Sequence, residues 1–136
     1  MARDPYGKIN FQPGFRLISG SALNLALTEV LQGGLSREDG ITATPGGTKA
    51  AARPLVATLN RVSVCATLND SVLLPKAIAG SIVQIINSGA QTLNFYGKGT
   101  DTIDGASTAT AATLATTKAK TLTCLTTGAW FTTSAT

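Results

Sequence analysis

A chain of 136 residues with 43% apolar side chains has room for one domain with a modest core, and only 13% of its residues are charged. Ordinary hydrophobicity with few charges argues against disorder, and no stretch approaches the ~20 apolar residues of a membrane-spanning helix, so no membrane partner is expected. The net charge of +4 is spread over single Lys and Arg residues with few aromatics beside them, which argues against a nucleic-acid partner.

Residues 1–20 predict an extended N-terminal arm. Pro5, Gly7, Pro13 and Gly14 punctuate it, and Tyr6, Ile9 and Phe11 follow neither a period of 2 nor one of 3.6. Its start lacks the apolar stretch of a secretory signal, so folding in a cytosol is expected. A short helix is predicted next: Ser21 is a suitable N-cap, Leu23, Leu27, Val30 and Leu31 form one stripe, and Gly33-Gly34 supplies the exit. Residues 35–54, with Gly40, Pro45, Gly46, Gly47 and Pro54, read as a long contact loop, so that 21–54 is helix plus loop.

From residue 55 to 136 the pattern is β. Leu59 to Thr67 alternates, with Val62, Val64 and Ala66 on one face and Arg61, Ser63 and Cys65 on the other. Val72-Leu73-Leu74 is a short strand stopped by Pro75. Ser81 to Asn87 is apolar on both faces, so the helix or a second subunit should cover its outer side. Asn87-Ser88-Gly89-Ala90 reads as a hairpin turn into a return strand on which Leu93 and Phe95 share a face. Turns at Gly97-Lys98-Gly99 and Asp104-Gly105 flank Ile103, and strands at Thr121–Leu125 and Ala129–Thr133 are split at Gly128. Six to eight short strands at this spacing predict a mainly β, jelly-roll-like β-sandwich with one short helix and an extended arm, a single domain overall.

The chemistry for an enzyme is thin. There is no histidine, which removes the usual general base and the usual metal ligand. Asp101 and Asp104 read as turn residues, and Glu38-Asp39 as a solvated pair. Gly46-Gly47-Thr48-Lys49 lacks the spacing of a phosphate loop. Cys65 and Cys124 are too few for zinc and are expected as free thiols, Cys124 inward and Cys65 outward. Trp130 and Phe131 should point to opposite faces. No catalytic, cofactor-binding or metal-binding residue is expected.

Asp70-Ser71-Val72-Leu73-Leu74-Pro75-Lys76-Ala77, Gly80, Ile86-Asn87 and Leu93-Asn94-Phe95-Tyr96 form a pattern that continues through Gly99 to Gly105 and ends on Gly128-Ala129-Trp130. With the opening Gly14-Phe15-Arg16-Leu17-Ile18-Ser19-Gly20-Ser21-Ala22-Leu23-Asn24, it resembles tailed-bacteriophage virion proteins: head decoration (cement) proteins, head fibres and some tail-fibre segments. The resemblance implies a jelly-roll-like homo-oligomer, dimer or trimer, made in the host bacterial cytoplasm. The bare length favours a decoration protein on the outer surface of the capsid, whose partner is the major capsid protein and whose action is to bridge capsomers. Its contacts would be Tyr6, Phe11 and Phe15 as anchors, with Arg3, Lys8 and Arg16 as the charged rim. The alternative is a receptor- or glycan-binding module of a head or tail fibre, with exposed Tyr96 or Trp130 in a shallow groove. A small virion hydrolase and a cell-surface adhesion module are the remaining readings.

Overall fold

The computed structural model describes residues 35–133, which belong to one compact unit, Leu35–Thr136. The predicted helix from Ser21 and the arm through Arg16 lie outside the described residues. Ten strands follow in order: β1 (Arg37–Thr42), β2 (Arg53–Pro54), β3 (Leu59–Val64), β4 (Ser71–Leu73), β5 (Ile82–Asn87), β6 (Leu93–Tyr96), β7 (Thr102–Ile103), β8 (Ala112–Leu114), β9 (Lys118–Thr126) and β10 (Ala129–Thr133). No helix occurs among the described residues.

The strands form two sheets. The first has the order β1-β3-β5-β9-β10-β7 and the second β2-β4-β6-β8. Through β6 the chain alternates between them, and each strand lies parallel to its predecessor in the same sheet. Parallel neighbours cannot be joined by a tight hairpin. The chain instead coils, and each circuit stacks on the last. Partners lie 22 and 25 residues apart in the first sheet (Arg37 opposite Leu59, Leu59 opposite Gln84) and 19 and 23 apart in the second (Arg53 opposite Val72, Ser71 opposite Asn94).

This is a β-solenoid of about four stacked turns, and it overturns the jelly-roll β-sandwich. A jelly roll needs antiparallel Greek-key neighbours, whereas β1, β3 and β5 run the same way. The supposed hairpin at Asn87-Ser88-Gly89-Ala90 is a solenoid corner that carries the chain from β5 in one sheet to β6 in the other. Residues 35–54, read as loop, carry β1 and β2. The fourth layer reverses direction: β8 pairs antiparallel with β6, and β9 antiparallel with β5. A true hairpin at Gly128 then adds β10, against which β7 lies parallel.

The core fills the space between the sheets. Val62, Val83, Ile85, Leu122 and Trp130 face it from the first sheet, and Val72, Leu93, Phe95 and Leu114 from the second. Each fully buried side chain of this size is worth roughly 1.5–3 kcal/mol of transfer free energy. Two asparagines share the interior. Asn60 donates Nδ2 to the carbonyls of Ala57 (2.8 Å) and Gln84 (3.3 Å). Asn87 donates to Gln91 (2.8 Å) and Leu114 (2.9 Å), and its Oδ1 accepts the Gly89 N–H (3.0 Å). They satisfy backbone groups that a coil must release at its corners.

Alternation in β3 holds only as far as Ser63. Asn60 and Val62 are buried, Val64 is 43% exposed, and Cys65 is buried, because the chain bends at the corner and the inward parity slips by one. Cys65 is therefore inward, opposite to expectation. Cys124 is inward as expected, and both thiols are free.

Candidate functional site

The two sheets differ in what covers their outer faces. In the second sheet, Ser71, Asn94 and Tyr96 lie on the face opposite to Val72 and Phe95, yet all three are buried. Residues 44–49 lie over them. Thr44 bridges to Ser71, the Ser71 hydroxyl donates to Thr48 O (3.4 Å), and the Tyr96 hydroxyl donates to Gly47 O. Lys49 pins this cover by donating Nζ to Gly99 O and Thr108 O, both at 2.6 Å. The Gly-Gly-Thr-Lys segment thus has a structural use, and its ammonium is occupied by carbonyls.

The outer face of the first sheet has no such cover among the described residues. Its registers place side chains in rows across the strands. One row runs Arg37, Leu59, Gln84, Thr121 and Thr133; a second runs Ile82, Thr123 and Phe131; a third runs Arg61, Ile86 and Ala119. Every one of these residues is exposed or half-buried. Hydroxyls, aliphatic groups and arginines alternate at the interstrand spacing of about 4.8 Å.

Two open depressions are present among the described residues. One, of ≈ 280 Å³, is lined by Val56, Pro75, Lys76, Ile78 and Ile82 where the corners before β3 and β5 meet. At the β1 end, Arg37, Glu38, Asp39, Leu59, Asn60, Arg61 and Ile86 line an open hollow of ≈ 180 Å³. The floor there is apolar, from Leu59 and Ile86. The wall is an ion pair: Arg61 donates Nε to Asp39 Oδ1 (2.6 Å) and its terminal nitrogen to Asp39 Oδ2 (2.8 Å). That fork-to-fork geometry fixes both planes. Asp39 is held further by the Gly40 N–H at 2.6 Å, on a bulge where Gly40 takes φ +74°. The Arg61 guanidinium, helped by the Gly40 N–H, holds the Asp39 carboxyl below its ordinary range. Next to the pair, Glu38 accepts from Arg53 (3.1 Å).

The sequence-predicted contact residues Arg3, Tyr6, Lys8, Phe11, Phe15 and Arg16 lie outside the described residues. The aromatics that a glycan groove was expected to expose, Tyr96 and Trp130, are both buried, and among the described residues Phe131 is the exposed ring. Trp130 and Phe131 do point to opposite faces. Arg37, Asp39, Arg61 and Ile86 carried no sequence signal as a group; only the parallel register of β1, β3 and β5 assembles them. No three His, Cys, Asp or Glu side chains gather as a metal site among the described residues.

The chain matches no family model, no curated protein and no solved structure. The resemblance to phage decoration proteins therefore finds no support there, and the solenoid contradicts the jelly-roll subunit on which the cement reading rested.

Proposed function

We propose that this chain is a receptor-binding module of a head or tail fibre, and that its receptor is a surface glycan. The carrying observation is an asymmetry of cover among the described residues: residues 44–49 lie over the outer face of β4 and β6 in the second sheet, while the outer face of the first, with its aligned hydroxyl, aliphatic and arginine side chains, has no such cover. Stacked solenoid turns suit extended ligands, because equivalent positions recur along the stack as a line of subsites. A glycan presents alternating hydroxyls and C–H faces, and this surface has partners for both.

The module binds without turnover in this reading. All five described carboxylates are engaged: Glu38 and Asp39 with arginines, Asp70 and Asp101 in buried corners, Asp104 with Thr132. That leaves the face without a spare acid and base flanking a bond.

The test is binding of labelled full-length chain to bacterial cells treated with periodate, which cleaves sugar diols, or with protease. Loss after periodate and retention after protease support a glycan receptor. The reverse pattern makes the receptor a protein, and binding to no cells in a broad panel contradicts the reading.

A further inference from the structure

We propose that the hollow at Asp39 and Arg61 is a subsite for one neutral sugar ring that presents a vicinal diol. This rests on the glycan reading and narrows it to a place and a ligand class.

Size fits first. The hollow holds ≈ 180 Å³, and a cavity of about 150 Å³ accommodates a six-membered carbon ring. Its floor, Leu59 and Ile86, comes from adjacent strands and suits the C–H face of a pyranose. Leu59 and Ile86 are both half-buried, so that floor is reachable.

The polar wall then sets the hydroxyl pattern. Of the five guanidinium donors on Arg61, Asp39 takes two. Of the roughly four lone-pair sites on the Asp39 carboxylate, Arg61 and the Gly40 N–H take three. What remains is one acceptor site beside a set of donors, held in one plane by the fork. A hydroxyl can donate to that acceptor and accept from the guanidinium, while its neighbour on the ring accepts from the outer guanidinium edge. Two adjacent hydroxyls match this arrangement; a lone hydroxyl leaves half of it unused.

Charge decides the class. Asp39 neutralises Arg61 and Glu38 is paired with Arg53, so the fork that meets the ring carries no net charge, while Arg37 has no carboxylate partner among the described residues. An acidic sugar would also have to displace Asp39 from the fork it already fills. Asp39 and Arg61 are both more than half exposed, so a ligand meets the pair directly.

The experiment follows backbone amide shifts of the ¹⁵N-labelled full chain during titration with dextran, yeast mannan and polygalacturonate. The proposal expects dextran or mannan to shift amides at 37–40, 59–61 and 86. Arg61→Lys, which keeps the charge and loses the fork, and Asp39→Asn should each weaken binding at least tenfold with an otherwise unchanged spectrum. Tighter binding of polygalacturonate at these amides overturns the ligand class. Shifts centred on Ile82 and Phe131 overturn the place. Silence with all three polymers overturns the subsite too, while the glycan reading still stands if periodate-treated cells lose binding.

Discussion

At the corner between β3 and β4 the chain releases the N–H groups of Ala66 and Thr67, and Asp70 accepts both on one oxygen at 2.9 and 3.0 Å. Its other oxygen accepts the Thr67 hydroxyl. Burial pushes the Asp70 carboxyl up, but the Thr67 hydroxyl and the two N–H groups outweigh it and leave the group below its ordinary range. A depressed carboxyl contributes stability that is fully present above the unfolded value, near 4, and is lost as pH falls through the lower folded value. Urea midpoints of the wild type should therefore hold above about pH 5 and fall below pH 4, with a shallower fall for Asp70→Asn. Asp70→Ala leaves donors unmet and should cost about 2–3 kcal/mol in the same measurement. Thr117 carries the opposite kind of instruction: it is β-branched and sits at φ +62°, where such a residue is strained by about 1–2 kcal/mol. Thr117→Asn, better tolerated there, should raise stability by about 0.5–1 kcal/mol. Trp130 is fully buried, and its Nε1 has no hydrogen-bond partner among the described residues. Trp130→Phe thus loses volume alone, whereas Trp130→Ala should cost about 3–5 kcal/mol. Thermal melts of the two variants should separate widely.

The strands show what local pattern can and cannot encode. The alternations in 71–74, 93–96 and 121–124 are legible because those segments keep one face in the core throughout. The pairing partners are not legible. Circuits of 22 and 25 residues in the first sheet have unequal lengths, and equivalent inward positions hold unlike residues: Asn60 lies opposite Ile85, and Val62 opposite Asn87. No repeat then surfaces in the sequence, although the backbone repeats. Turn residues misled for the same reason. Asn-Ser-Gly suits a hairpin and a solenoid corner equally, and the choice is made by what stacks above and below. Gly89 records that choice. A Cβ there would stand 2.5 Å from the N and 2.6 Å from the Cβ of Cys65, one circuit earlier, and the Gln91 N–H donates to Cys65 O (3.1 Å). Gly89→Ala must spread two stacked corners. It should cost several kcal/mol, as overpacking of backbone does, and amide exchange should accelerate first around 65 and 89.

On the scale of the whole described unit, the edge strands at the two ends of the stack are bulged, charged or short. The β1 edge is broken by a bulge at Asp39-Gly40 and carries Arg37, Glu38 and Asp39, while the opposite edges, β7 and β8, are two and three residues long. Such devices discourage edge-to-edge pairing. Residues 44–49 cover β4 and β6 of the second sheet, and among the described residues nothing covers the outer face of the first, which is why the proposed recognition is placed there. The candidate site itself was hidden in the sequence, because Arg37, Asp39, Arg61 and Ile86 come from three circuits and only their register unites them. Since Arg61 holds the Asp39 carboxyl low, the pair stays ionised to a lower pH than a free carboxylate would. Cell binding should accordingly persist at pH 5 and weaken only below about pH 4.

The most direct measurement compares cell binding of two variants of the full chain that carry the same new charge on different sheets. Ile86→Glu sets it in the outer face of the first sheet, and Thr113→Glu at an exposed position of the second. With both variants folded by circular dichroism and thermal melting, binding should be abolished in Ile86→Glu and unchanged in Thr113→Glu. Equal binding by the two would contradict the assignment of recognition to the bare face.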